Sequence, residues 1–144
     1  MLKGISKYLS PELLYHLYTM GHGDELVIAD AFYPGDTMNE LVIRADGIGV
    51  ADLLDGILPL FNLDAYVSNP VLMMAVPSND SPDPEVEKSF RSVIDKYYPD
   101  TPAIGKLERF EFYERSKKAY AVLMSGETSK YGCIIIKKGV IPVS

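Results

Sequence analysis

Two histidines are all that this chain of 144 residues has, and His22 stands between two glycines in "MGHGDELVIAD", residues 20–30. An imidazole titrates near neutral pH, so it can both give and accept a proton. Carboxylates follow closely at Asp24, Glu25 and Asp30. Three chemistries draw on such residue types. A metal site would use all four, but zinc wants three or four nitrogen or sulfur ligands, and the chain offers two histidines and one cysteine. The acids also lack the spacing of a calcium loop. Nucleophilic catalysis would pair His22 with Cys133, yet Cys133 leads into Ile134, Ile135 and Ile136, where a cysteine is ordinarily buried packing. General acid–base chemistry at His22 is left. Its plainer rival is a histidine that merely caps helix carbonyls.

The flanking elements bear on that choice. Ser10-Pro11-Glu12 predicts a helix start, with a hydroxyl cap, proline at the first position and an acid in the first turn. Leu13, Leu14, Leu17 and Met20 keep helical spacing, and Gly21 can take the left-handed turn that ends a helix. The carboxyl end of that helix, directly ahead of His22, suits a protonated imidazole acting as donor. His16, inside the helix among tyrosines, reads as structural. "ELVIAD" then predicts a short buried strand with Asp30 at its end.

Further along, "LVIRA" and "VLMMAV" predict strands, and "VADLLDGILPLF" carries a helical stripe that Pro59 should end. Asp83 and Pro84 open another helix, with Val86, Phe90, Val93, Ile94 and Tyr97 on its apolar face. "KLERFEFYERSKKA" fits either period. "AYAVLMSGE" and "YGCIIIKKGVI" are two strands joined by a polar turn. Helices alternating with strands predict an α/β layered fold with parallel pairs, in one compact domain over residues 1–144.

Composition narrows the partners. Net charge is −6 with 24% charged and 47% hydrophobic residues, an ordinary soluble balance. Nucleic acid would need a basic face, and the local lysine pairs are only Lys117–Lys118 and Lys137–Lys138. No apolar run approaches the roughly 18 residues of a membrane span. The N-terminus lacks the apolar stretch of a signal peptide, and one cysteine suits a reducing compartment. A cytoplasmic protein without membrane or nucleic-acid partner is expected. "RADGIGVADLL" places Gly-x-Gly between strand and helix but lacks the third glycine and the later acid of a dinucleotide site. A tight turn is the expected reading.

Four stretches together resemble the fucose mutarotase and ribose pyranase family: "YLSPELLYHLYTMGHGDELVIAD", "VIRADGIGVADLL", "KLERFEFYERSKKAYAVLMSGE" and "YGCIIIKKGV". Their order and spacing match from Leu2 to Val140, and "RFEFYER" places the chain nearer the fucose branch. The resemblance implies a three-layer α/β domain around a mainly parallel sheet. It implies an isomerase that needs no cofactor and interconverts α and β anomers of free L-fucose, with pyranose–furanose exchange in some members. Ring-like homo-oligomers, commonly decamers, are implied as well, with the pocket lined by neighbouring subunits. A non-catalytic sugar-binding protein is the alternative.

Residue by residue, the resemblance makes His22 the proton donor and Asp30 the ligand-binding acid. By analogy with other acid-oriented histidines, Asp30 is expected either to orient His22 or to grip a sugar hydroxyl. Arg109 matches the arginine that holds hydroxyls or steadies an oxyanion. Tyr113 and Tyr120 match aromatic positions near the sugar. Tyr131, Gly132 and Cys133 match a Tyr-x-Asn motif, with Tyr131 and Tyr113 as stacking wall. Cys133 departs from it: an amide both donates and accepts, whereas a thiol does neither well. The base is open between Tyr120, Asp30 and a bound water.

Overall fold

The structure, a computed structural model, describes residues 1–143. Its elements run α1 (Pro11–Thr19), β1 (Glu25–Ala29), α2 (Gly35–Met38), β2 (Val42–Ala45), α3 (Val50–Ile57), β3 (Val71–Met74), α4 (Pro84–Tyr97), β4 (Gly105–Leu107), α5 (Arg109–Lys118), β5 (Ala121–Ser125) and β6 (Ile134–Lys137). The caps form as their residue types dictate. Ser10 accepts from the Leu13 amide, and Asp83 accepts from the Glu85 amide. Ser10→Ala should cost about 1 kcal/mol, a fall in melting temperature of roughly 4 °C by calorimetry.

Strand order is β2-β5-β1-β6-β3-β4. β2, β5 and β1 pair in parallel, as do β3 and β4, while β6 is antiparallel to both its neighbours. Five strands therefore point the same way and β6 alone is reversed. The mainly parallel α/β sheet expected from the sequence is observed. This polarity gives the sheet two chemically distinct edges. One collects the carboxyl ends of five strands and the start of β6; the other collects the opposite termini.

Alternation along each strand builds two apolar layers. Leu26 and Ile28 of β1 join Leu13, Leu54, Phe61, Phe90 and Ile94 beneath α1, α3 and α4. Val27 and Ala29 face the other side with Tyr33, Phe112, Met124 and Ile135, under α2 and α5. Three layers result. Because the central strands β1, β3, β5 and β6 are buried on both faces, their sequences read as apolar runs rather than as clean alternation.

Two local features differ from expectation and two settle what the sequence left open. The left-handed turn falls at Gly23 (φ 87°) rather than Gly21, whose amide is held by the Asp24 carboxylate at 2.7 Å. The loop after β1 contains the short helix α2. The ambiguous stretch divides: "GKL" is β4, and helix begins at Arg109, where Glu108 accepts from the Phe110 and Glu111 amides. β5 and β6 do not pair with each other, since β1 lies between them. Pro59 acts as expected, turning the end of α3 into a 3-10 turn over Leu58–Leu60.

Candidate functional site at the carboxyl edge of the sheet

A cavity of about 620 Å³ opens where β1, β3 and β4 end and β6 begins. That volume is within the usual range of ligand pockets, and this edge is where open α/β sheets bind ligands. Asp30 follows β1 directly. Its amide donates to Cys133 Sγ at 3.2 Å, and Cys133 Sγ donates back to Asp30 Oδ2 at 3.2 Å. Burial pushes the Cys133 thiol up, so it keeps its proton and can donate. Asp30 Oδ1 accepts from the Phe32 amide at 3.0 Å. The carboxylate is thus held in one orientation from both sides.

Backbone lashing fixes the β1 end itself. Ser125 Oγ donates to the Ala29 carbonyl at 2.5 Å, and the Ala31 amide donates to the Glu127 carbonyl at 2.8 Å. Gly126 between them passes so near the β2–α3 turn that a Cβ there would sit 2.6 Å from the Gly47 nitrogen. Only glycine fits.

Helix α5 supplies the opposite wall. Its place is set by the two-pronged Arg115–Glu25 pair, at 2.7 and 2.9 Å, and by Asn39, which accepts nothing from α5 but donates to the Ser116 and Ala119 carbonyls. At its start Arg109 Nε donates to the Tyr113 hydroxyl oxygen at 3.0 Å, with the guanidinium 5.4 Å from that ring's centre. Tyr113 also meets Tyr33 edge-on at 5.7 Å, and burial drives the Tyr33 phenol up, leaving it neutral. From the β6 side Tyr131 donates to Asp80 Oδ2 at 2.7 Å. The Asp80 carboxyl is held below the usual carboxylate range, chiefly by that hydroxyl and then by the Ser81 amide. Met74, Ala75 and Val76 line the apolar part.

Of the residues expected from the sequence, Asp30, Arg109, Tyr113, Tyr131 and Cys133 therefore share one cavity. His22 and Tyr120 do not. His22 precedes β1 whereas Asp30 follows it, and five strand residues span about 17 Å. Tyr120 precedes β5, and its hydroxyl lies 2.9 Å from His16 Nδ1. Both sit at the opposite edge. There His22 Nε2 donates to Asp64 Oδ1 at 3.2 Å, so Asp64, not Asp30, orients the imidazole. Burial opposes the Asp64 charge, but the Tyr66 amide and His22 outweigh it and keep its carboxyl below the usual range. The His22 side chain remains 48% exposed, and the Tyr66 ring beside it is 80% exposed. The oriented imidazole faces outward and takes no part in this cavity.

Asp64 and Asp80 are the two residues that sequence reasoning missed. Asp80 sits in "PSNDSPDP", whose cluster of polar residues directly after a buried strand was its only signal. Asp64 gave none. Among the described residues, no group of three or more His, Cys, Asp or Glu side chains is placed to hold a metal ion, and no helix is long and apolar enough to cross a membrane.

A family model described as the RbsD / FucU transport protein family matches residues 3–141. The chain belongs to this family. Among its RbsD/FucU relatives, a Haemophilus influenzae protein named L-fucose mutarotase is 55% identical over 143 residues, covering 99% of each chain. A fucose mutarotase from Streptococcus pneumoniae, solved in complex with L-fucose, is 48% identical; the match covers 98% of this chain and all of that one, with a TM-score of 0.93. A Bacillus subtilis RbsD complexed with D-ribose is 24% identical with a TM-score of 0.74, a likeness of fold. The three-layer RbsD/FucU architecture implied by the sequence is confirmed.

Proposed function

We propose that this protein is a cytoplasmic, cofactor-independent mutarotase that interconverts the α and β anomers of free L-fucose. The observation that carries the reading is the cavity at the carboxyl edge. Asp30 and Arg109 offer a fixed acceptor and a fixed donor, Tyr113 and Tyr131 supply aromatic faces on which a sugar's C–H surface can pack, and Met74 to Val76 give an apolar lining. Relatives named for fucose mutarotation, one holding L-fucose, support it.

Anomerisation requires that the ring oxygen gain a proton while the anomeric hydroxyl loses one. The C1–O5 bond opens, the aldehyde rotates about C1–C2, and reclosure gives the other anomer. Reclosure through a different hydroxyl would give pyranose–furanose exchange in the same pocket. Arg109 steadies the oxygen that gathers negative charge. His22 supplies the proton, but it cannot reach the cavity of its own copy. A second copy brings it there: the outward-facing His22, oriented by Asp64 and flanked by Tyr66, docks at the mouth beside the exposed Phe32 of its neighbour. Such a head-to-tail contact between different surfaces closes into a ring, of which a decamer is one size.

The test is saturation-transfer NMR, with one anomeric proton of L-fucose irradiated and the other observed. Transfer should grow with protein concentration and fall by about 10²–10⁴-fold in His22→Ala, the range of one general acid. The single copy's lack of an imidazole in its own cavity favours one rival, a protein that binds sugar without turning it over. In that case no transfer occurs with L-fucose, D-ribose or D-galactose, and His22→Ala changes affinity alone.

A further inference from the structure

The hydrogen bonds around the cavity assign a polarity to each group that a sugar would meet. The Tyr113 oxygen already accepts from Arg109 Nε, so its own hydrogen is free to donate. Cys133 has spent its hydrogen on Asp30 Oδ2 and receives the Asp30 amide, so it offers a ligand nothing. Tyr131 is the reverse of Tyr113. Its hydrogen goes to Asp80 Oδ2, and its oxygen can only accept. A sugar hydroxyl meeting Tyr131 must therefore be the donor, and the anomeric hydroxyl is the most acidic one a free aldose has.

Two further features show that this arrangement is held in place. Tyr131 is the single non-glycine residue with positive φ (57°) among the described residues, a conformation that persists only where its surroundings over-determine it. Asp80 in turn is fixed by the Ser81 amide on Oδ1 at 2.8 Å, with Lys130 Nζ 3.5 Å from Oδ2. The other charged groups lining this cavity are Asp30, Glu108 and Arg109.

We propose that Asp80, acting through Tyr131, is the proton-accepting arm of the site. This rests on the mutarotase reading. As C1–O5 breaks and His22 gives its proton to O5, the anomeric hydroxyl passes its proton to the Tyr131 oxygen. Tyr131 passes its own to Asp80 Oδ2, and C1=O1 forms. On reclosure Asp80 returns a proton through Tyr131 to O1, and His22 recovers one from O5. Nothing is consumed. Asp80 is a positioning residue that sets Tyr131 as acceptor and takes up the displaced proton, becoming neutral until reclosure returns it.

Asp80→Asn tests this role: its amide oxygen can still accept from Tyr131 but takes no proton, while its NH2 gives up the Ser81 amide bond on Oδ1. A kcat loss at unchanged KM is what distinguishes the proton role from loosened loop anchoring. Exchange of L-fucose anomers should slow by roughly 10²-fold in kcat, with KM within about twofold of wild type. Tyr131→Phe should slow exchange equally, and the double variant no further, as for residues that work as a unit. The solvent deuterium isotope effect on kcat should change in both single variants. Wild-type exchange rates in Asp80→Asn, or a loss confined to KM, overturn the proposal while leaving the mutarotase reading intact. No exchange in wild-type protein overturns both.

Discussion

Two inactive variants, His22→Ala and Arg109→Ala, should regain activity when mixed. In the proposed ring each cavity combines Asp30, Arg109, Tyr113 and Tyr131 of one copy with His22 of its neighbour. Either substitution alone disables every cavity, with exchange of L-fucose anomers reduced by about 10²-fold or more. After subunits are scrambled at equal amounts, half of the copies carry an intact cavity and half carry an intact His22. Random assembly then pairs the two intact halves in about a quarter of the sites. Saturation transfer on the mixture should approach a quarter of the wild-type rate. Mass spectrometry of the intact assembly confirms that scrambling occurred. Recovery that never rises above the parents, in verified mixed rings, would show that His22 does not work across a contact. The effect is large because zero is compared with a quarter, and no small shift in affinity can imitate it.

Phe112→Ala should be the most damaging single change in the layer beneath the cavity. Phe112 is fully buried on the inner face of α5 and meets the Tyr33 ring edge-on at 5.8 Å, directly behind the Tyr113 wall. Truncation removes the ring's transfer free energy and leaves a void that α5 and the sheet cannot fill, since α5 is pinned by Arg115–Glu25 and by Asn39. A loss of about 3–5 kcal/mol is expected, lowering the melting temperature by roughly 10–20 °C in calorimetry. Phe112→Leu should recover most of it, because the volume is largely restored. Equal stability of Phe112→Ala and wild type would mean that α5 is not anchored through this ring. Activity at low temperature should fall in both kcat and KM, as Arg109 and Tyr113 loosen while Asp30 and Tyr131, on other elements, stay fixed.

Local features were legible in the sequence wherever one residue type forces one geometry. Ser10 and Asp83 announced their helices because a hydroxyl or carboxylate ahead of proline satisfies amides that nothing else can reach. "ELVIAD" and "VLMMAV" read as strands because covering on both faces demands unbroken apolar runs. "KLERFEFYERSKKA" stayed ambiguous because Phe110, on its exposed side, adds a hydrophobic residue that the core never uses. α2 went unseen because four residues carry no periodicity.

The candidate site divides along the same line. Residue types and spacing singled out His22, Asp30 and Cys133 from the linear chain, and the family resemblance added Arg109, Tyr113, Tyr120 and Tyr131. The direction in which each strand runs decided which of them meet. Because β1 enters at His22 and leaves at Asp30, the two fall on opposite edges, although only seven residues lie between them. Because β6 is reversed, Tyr131 and Cys133 at its start land beside the ends of β1 and β3 instead of across the sheet from them. Asp64 beside His22 and Asp80 beside Tyr131 are partners separated by 42 and 51 residues, joined only by folding. The chain alone determined which groups could do chemistry, since that is a matter of side-chain type and local capping. Which groups share a cavity was settled by sheet polarity, a property of long-range pairing that no local stretch encodes.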